Sequence, residues 1–212
     1  MSTAVATRIR TDVIGSLMRP PAVLAAHATF KAGTVPESEL RAVEDAAILD
    51  ALQHQRAPGL DVVTDGEMRR DAWMTEFSDA VEGFAADYPV IRETRSDGTV
   101  VEVERHTKVV VGKLRQRRRL AEYEVPFLAQ HANGLRYKIT LPSPNVFGWG
   151  SYQSGVTDAA YTSREALHAD AVGIIGGEMQ ALVADGVPYL QLDEGPAEWR
   201  LQSGPVRRVR RR

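Results

Sequence analysis

Cysteine is absent from this chain of 212 residues. Its absence excludes disulfides and thiolate metal ligands, and it is typical of proteins in a reducing cytoplasm, which is the predicted location. No apolar run approaches the roughly 18 residues that a membrane-spanning helix needs. Residues 1–8 also lack the apolar centre of a signal peptide. The sequence therefore predicts no membrane partner.

Several common catalytic motifs are missing as well. The chain has no phosphate-binding loop, no dinucleotide-binding glycine pattern after a strand and no serine elbow. None of the histidines stands at a short, ligand-like spacing from another, so a zinc site made by this chain alone is not expected. The histidines are His27, His54, His106, His131 and His168.

The formal net charge of −2 combines an acidic body with a basic end. The arginines of that end are Arg207, Arg208, Arg210, Arg211 and Arg212. Such a tail can bind nucleic acid or an anionic surface. No aromatic residues alternate with the arginines to stack on bases, so an aberrant or disordered tail over residues 195–212 is favoured, and nucleic acid is not an expected partner.

Strand and helix patterns alternate along the rest of the chain. The pattern predicts strands at 11–16, 60–64, 137–141 and 188–192, and helices at about 40–52, 114–132 and 163–185. Thr34-Val35-Pro36-Glu37 has the form of a capping box before the first of these helices, and Gly186 is suited to end the last. This alternation predicts an α/β fold with a parallel sheet.

One region interrupts the alternation. Two β-prone runs flank Ser96-Asp97-Gly98-Thr99, which predicts a β-hairpin insertion at about 85–112. Without it, about four βα units remain over residues 1–194, roughly half of a (β/α)8 TIM-type barrel. A half barrel leaves open strand edges. Pairing with a second half barrel, homo-oligomerisation, closure as a smaller sheet and truncation all stay open as explanations.

The carboxyl ends of barrel strands carry the reactive groups of such folds, which selects candidate site residues. The candidates are Ser16, Asp65, Glu67, the segment 142–149, Asp193 and Glu194. Carboxylates there can hold an ammonium group or a metal, or act as a base. Asp65 is equally suited to cap the turn at Gly66. Trp149 suits either a stacking platform or an ordinary half-buried aromatic.

Three motifs resemble one known family. Val13-Ile14-Gly15-Ser16 with Arg19-Pro20, the run from Gly59 to Glu67, and Gln191-Leu192-Asp193-Glu194 are similar to the catalytic barrel of cobalamin-independent methionine synthases. The likeness covers about residues 8–194 and is strongest to the shorter, single-barrel methionine-synthase-like proteins. It implies a methyltransferase of methionine biosynthesis, which transfers a methyl group from methyltetrahydrofolate to homocysteine or another thiol.

The resemblance also implies residue roles. Ile14, Gly15 and Ser16 match the segment that holds the amino-acid substrate, and Glu67 and Asp193 match the acidic residues that grip its ammonium group. Trp149 matches an aromatic residue on the folate side.

The family's zinc is expected to activate the thiol, but its ligands are absent from this chain. The chain is therefore predicted to be truncated and inactive alone. The alternative is a non-catalytic module that binds an amino acid or pairs with another half barrel.

Overall fold

The computed structural model describes residues 11–87, 90–94, 98–104 and 107–194. The predicted tail at 195–212 and His106 lie outside these residues. The chain divides into two compact units. The first unit comprises the described residues up to Trp73 together with 123–139 and 187–189, and the second comprises 74–122, 140–186 and 190–194. Among the described helices, none combines the length and apolar composition that a membrane crossing requires.

The elements alternate along the chain, apart from one β-rich stretch. The helices are α1 (Pro21–Lys31), α2 (Glu37–Arg56), α3 (Thr75–Ala80), α4 (Glu124–His131), α5 (Pro144–Gly150) and α6 (Arg164–Ala184). The strands are β1 (Val62–Val63), β2 (Val81–Phe84), β3 (Val90–Thr94), β4 (Val100–Glu104), β5 (Val110–Gln116), β6 (Arg136–Tyr137), β7 (Ile139–Pro142) and β8 (Leu190–Asp193). A short 3-10 helix occupies Thr157–Ala159.

The parallel pairing of the first unit joins β1 to β6. The predicted strand at 11–16 was too long, because the structure reduces it to a single parallel bridge between Asp12 and Val62. Beyond that bridge the chain follows the exit loop of β1 instead, where the Leu17 amide donates to the Gly66 carbonyl at 3.0 Å. The first strand therefore ends early because its next backbone partner belongs to a loop.

The helix predicted from the spacing of Leu40, Ile48 and Leu52 is confirmed as α2, and these three side chains are buried. The capping box was wrong. Pro36 occupies the N-cap and no side chain caps the helix. The Thr34 hydroxyl instead donates to the Thr29 carbonyl at 2.8 Å, so it satisfies the end of α1 rather than the start of α2.

The hairpin insertion is confirmed, since β3 and β4 pair antiparallel from Val90–Glu104 to Thr94–Val100. Strand β2 precedes the hairpin in the chain and β5 follows it, and these two strands form a second antiparallel pair. The predicted helix at 114–132 was wrong at its start, because β5 extends to Gln116 and α4 begins at Glu124. Strand pairing and a hydrogen bond from the Leu114 amide to the Tyr161 hydroxyl override the local helical pattern.

The strand predicted at 137–141 is present but changes its pairing at Lys138. The Lys138 amide donates to the Val63 carbonyl at 2.9 Å, whereas the Ile139 amide donates to the Tyr189 carbonyl at 3.1 Å. Lys138 is 1% exposed, and its ammonium lies 3.2 Å from an Asp12 carboxylate oxygen. A buried lysine therefore neutralises a carboxylate at the point where β6 gives way to β7.

Strand β8 pairs with β7, and both lead into polar residues. The Ser143 amide donates to the Asp193 carbonyl at 2.8 Å, as the Ile139 amide does to the Tyr189 carbonyl at 3.1 Å. The donor and the acceptor both lie further along the chain in the first of these bonds, which indicates parallel strands. Most of the candidate segment 142–149 belongs to helix α5. The Ser143 hydroxyl caps this helix by accepting from the Asn145 amide at 3.3 Å.

Aromatic packing and one close helix contact form the core of the second unit. The rings of Phe77 and Phe147 stack with centroids 4.0 Å apart. A Cβ added to Gly148 would lie 2.7 Å from the Cβ of His168, so a glycine is required where α5 meets α6. The predicted helix at 163–185 is confirmed as α6, and Gly186 follows it with a φ of +77°.

Candidate functional site

The exit loop of β1 places the first candidate carboxylate in an unusual backbone conformation. Gly66 has a φ of +68° and Glu67 a φ of +58°, so two successive residues are left-handed. The Thr64 hydroxyl accepts from the Gly66 amide at 2.7 Å, and an Asp65 carboxylate oxygen accepts from the Glu67 amide at 3.0 Å. A left-handed residue other than glycine costs about 1–2 kcal/mol, so these bonds hold Glu67 in a strained position.

The structure brings together two of the predicted site residues, Ser16 and Glu67. The Ser16 hydroxyl donates a hydrogen bond to Oε2 of Glu67, whose side chain is buried. The Arg19 guanidinium donates to the Glu67 carbonyl at 2.9 Å and so fixes the same turn. Gly15 is buried, whereas Ile14 is 83% exposed. Of the three residues that were predicted to hold an amino acid, Ser16 therefore contacts the Glu67 carboxylate.

Two further charged residues complete this cluster. Arg70 is 4% exposed; its Nη1 lies 3.4 Å from Oε1 of Glu67 and its Nε lies 3.6 Å from Oε1 of Glu124. Glu124 begins α4 and is also buried. One guanidinium is thus shared between two buried carboxylates, and Asp65 adds a third carboxyl group beside them.

The surroundings of the Asp65 carboxyl disfavour its ionised form. Burial and, after it, the negative charge of Glu124 raise the pKa of the Asp65 carboxyl to about 6, against the opposing effect of Arg70. Its Oδ1 accepts the Glu67 amide, but its Oδ2 is buried without a hydrogen-bond partner in the described part of the chain. A cluster with more carboxyl groups than guanidinium groups favours a bound cation or a proton.

A second polar network anchors the same loop to the helices. The imidazole of His27 in α1 lies 3.1 Å from an Asp71 carboxylate oxygen and 3.0 Å from one of Glu44 in α2. The Arg69 guanidinium lies 3.1 Å from Glu44. The hydrogen bond to Asp71, assisted by Glu44, raises the pKa of His27 from 6.5 to about 9. This network positions the residues that follow Glu67.

We expect stability to depend on pH through His27. Since its folded pKa of about 9 exceeds the unfolded value of 6.5, its contribution is complete below pH 6.5 and is lost as pH rises to 9. The free energy of unfolding should therefore decline across this window, as urea denaturation would measure. The decline should be smaller in His27→Gln and unchanged in the control His54→Gln, whose imidazole is exposed. Equal slopes for His27→Gln and the unmodified chain would contradict this role.

The second unit carries the other predicted residues at the ends of β7 and β8. Asp193 is the last residue of β8, and its carboxylate accepts from the Gln191 side chain. The Glu194 carboxylate accepts from the Ser143 hydroxyl at 3.0 Å and from the Asn145 amide group at 3.0 and 3.1 Å. Because Asp193 belongs to this unit, its convergence with Ser16 and Glu67 stays a prediction.

Trp149 lies in α5 and is half-buried. The Arg164 guanidinium stands 5.7 Å from the centroid of its ring and also hydrogen-bonds its backbone carbonyl at 3.4 Å. The same guanidinium lies 5.1 Å from the ring of Tyr152. Trp149 is thus held by a cation–π contact, and its place beside a folate stays a prediction.

In the described ranges, no group of three or more histidine, aspartate or glutamate side chains is arranged to hold a metal ion, and the sequence offers no thiolate. The described residues therefore do not fit the zinc that the resemblance implies.

Sequence reasoning missed Arg70 and Glu124 and gave Arg19 no role. Arg70 could have been found, because it stands one helical turn after Glu67 in the same exit loop. Glu124 had no local signal, since its region was predicted to lie within a longer helix. Its contact with Arg70 depends on the tertiary placement of α4.

Comparisons with known proteins decide the family. The model for the catalytic domain of cobalamin-independent synthases matches residues 9–211. The chain belongs to this family. The match includes most of the arginine-rich end, for which the sequence predicted an aberrant or disordered tail.

Relatives of this synthase-family chain include both curated proteins and a solved structure. The methionine synthase of Sulfurisphaera tokodaii is 32% identical over 184 residues, which are 87% of this chain and 51% of that protein. Protein YxjH of Bacillus subtilis is 30% identical over 189 residues, which are 87% and 48% of the two chains. The B12-independent methionine synthase from Shewanella sp. W3-18-1, solved in complex with selenomethionine, is 25% identical with a TM-score of 0.58 over 76% of this chain and 44% of that one.

These comparisons bear on the fold as well as the family. The synthase-family chain spans about half the length of the curated relatives it matches. The predicted family and fold class are confirmed: the chain is α/β and corresponds to a partial (β/α) barrel.

Proposed function

We propose that this synthase-family chain binds a small zwitterionic amino acid of the homocysteine type, as the substrate-binding part of a methionine-synthase-like methyltransferase. The observation that carries the proposal is the buried Glu67 carboxylate, held beside Ser16 and Arg70 at the carboxyl end of β1. A carboxylate in this position supplies a strong, oriented acceptor for an ammonium group.

The charges of the cluster suit such a ligand. Asp65, Glu67 and Glu124 contribute three carboxyl groups, whereas Arg70 is shared between the last two. An added ammonium group would offset the remaining negative charge, whereas an added anion would increase it. The selenomethionine bound to the Shewanella relative is an amino acid, which supports a ligand of this class.

Under this proposal, the Ser16 hydroxyl changes its hydrogen-bond acceptor when the ligand binds. This hydroxyl donates to the Glu67 carboxylate. When an ammonium group takes that carboxylate oxygen, the hydroxyl is released to donate to the ligand's own carboxylate, because one hydroxyl rotates between acceptors at little cost. Under the same proposal, Asp193 is a second acidic contact and Trp149 borders a methylated folate.

Methyl transfer needs a thiolate, and this requirement limits what the chain does alone. A free thiol with a pKa of about 8.5 stays mainly protonated at neutral pH, and zinc is the expected means of ionising it. The described residues supply no zinc site. We therefore propose binding without turnover for the isolated chain, with the metal ligands contributed from elsewhere, such as a second chain completing the barrel.

Calorimetric titration with homocysteine and methionine tests the proposal. We expect saturable binding, and a 10- to 100-fold loss of affinity in Glu67→Gln, corresponding to about 1.4–2.7 kcal/mol. The variant keeps the size of the side chain while removing its charge.

The control is Glu39→Gln, which removes one exposed charge from α2 of the same unit and should bind like the unmodified chain. Thermal unfolding of each protein confirms that it is folded. The proposal fails if the unmodified chain shows no saturable binding, or if Glu67→Gln binds equally well.

A further inference from the structure

The two carboxylate oxygens of Asp65 differ in their hydrogen bonding. Oδ1 accepts from the Glu67 amide and so maintains the left-handed turn. Oδ2 is buried and has no hydrogen-bond partner in the described ranges, and the residue as a whole is 4% exposed. A buried acceptor without a partner costs about 1–3 kcal/mol, and more when it is charged. Turn capping therefore explains one oxygen and leaves the other unsatisfied among the described residues.

The neighbouring charges do not offset the cost of burying this oxygen without a hydrogen-bond partner. The groups that act on Asp65 are the carboxylates of Glu124 and Glu67, which disfavour its ionisation, and the guanidinium of Arg70, which favours it. Arg70 is already engaged by both of those glutamates. Burial and Glu124 together raise the pKa of Asp65 to about 6. Asp65 thus holds a proton more readily than an ordinary aspartate does.

We infer that Asp65 is a third carboxylate of the amino-acid site, that its Oδ2 accepts a hydrogen bond from the ligand's ammonium group, and that binding releases the proton which Asp65 otherwise shares with solvent. The inference rests on the proposed function and adds a contact to it. Protons and charge balance in this exchange. The ammonium group keeps its protons, the Asp65 carboxyl releases one proton to the buffer, and the charge of the ammonium group takes the place of that proton.

The substitution Asp65→Asn separates the two roles of the residue. Asparagine keeps an oxygen at Oδ1 to accept the Glu67 amide, and it tolerates turns of this kind as well as aspartate does. It loses the titratable carboxyl group and places a donor where Oδ2 stood. The turn is therefore retained while the proposed ammonium contact becomes repulsive.

The experiment is calorimetric titration of the full chain with L-methionine near pH 6, in two buffers of different ionisation enthalpy. Methionine has no thiol, so a released proton does not come from its sulfur. We expect proton release that diminishes as pH rises above the Asp65 pKa of about 6. Asp65→Asn should show no release and roughly tenfold weaker binding at neutral pH. The control Asp50→Asn, on the exposed surface of α2, should behave like the unmodified chain.

The outcomes distinguish this inference from the function on which it rests. Methionine binding by the unmodified chain without proton release, or equal release by Asp65→Asn, overturns the role of Asp65 and leaves amino-acid binding intact. Absence of methionine binding overturns both. If Asp65→Asn does not fold, as thermal unfolding would show, the proton count of the unmodified chain decides.

Discussion

Replacing Glu178 with alanine should lower the free energy of unfolding by about 3 kcal/mol. Glu178 lies in α6 and its side chain is fully buried. Both of its carboxylate oxygens accept from the Arg119 guanidinium at 2.9 Å, and one accepts from the Leu120 amide at 3.1 Å. Removing the carboxylate leaves a buried amide without its acceptor.

The size of this effect follows from the exposure of the partner. Losing one member of a buried ion pair typically costs about 3–5 kcal/mol. The Arg119 side chain is 39% exposed and can regain water, which places the expected cost at the lower end.

Urea denaturation gives the change directly, and the melting temperature should fall by roughly 6–12 °C. Gln180→Ala, on the exposed side of the same helix, is the control and should change little. A loss below about 1 kcal/mol for Glu178→Ala would contradict the assigned role of this carboxylate.

Replacing Gly83 with alanine should also cost about 3 kcal/mol, for a different reason. Gly83 lies in β2 at a register irregularity opposite β5, with a φ of +106°. An added Cβ would lie 2.8 Å from the Lys113 carbonyl oxygen and 2.9 Å from that of Gly112. Both contacts are with backbone atoms of the paired strand, which move only if the β2–β5 pairing is distorted.

Gly98→Ala is a matched control for this substitution. Gly98 has a comparable φ of +85°, but an added Cβ would meet nothing within 4 Å. Its replacement therefore measures the left-handed backbone cost alone, about 1 kcal/mol. We expect chemical denaturation to show Gly83→Ala clearly below Gly98→Ala in stability. Equal losses would mean that the contact between β2 and β5 is not tight at this position.

The elements that the sequence predicted correctly are those with long, regular patterns. The 20 residues of α2 and the 21 residues of α6 repeat their apolar positions several times, so local information is sufficient. The hairpin was equally clear, because a turn sequence separates two β-prone runs. Short segments were less predictable: the sequence predicted no helix at α5, which has seven residues.

The errors have a common physical origin in long-range pairing. Residues 114–116 fit a helix locally, but Arg115 and Gln116 pair with β2 as part of β5. The bulge at Gly83 has no local signature, because it depends on the close approach of Gly112. In the candidate site, the strand-end rule brought Ser16 and Glu67 together, whereas the contact of Glu124 with Arg70 depends on tertiary packing. The roles of Asp193 and Trp149 stay predictions.

A crystal structure of this chain grown with free selenomethionine would test the central claim most directly. The selenium atom locates the ligand by its anomalous signal, and the side chains around its amino group identify the site. We predict that the ammonium group lies within hydrogen-bond distance of the Glu67 carboxylate, with the Ser16 hydroxyl turned away from Glu67. A ligand bound with its amino group elsewhere, or no ligand at a saturating concentration, would contradict the account.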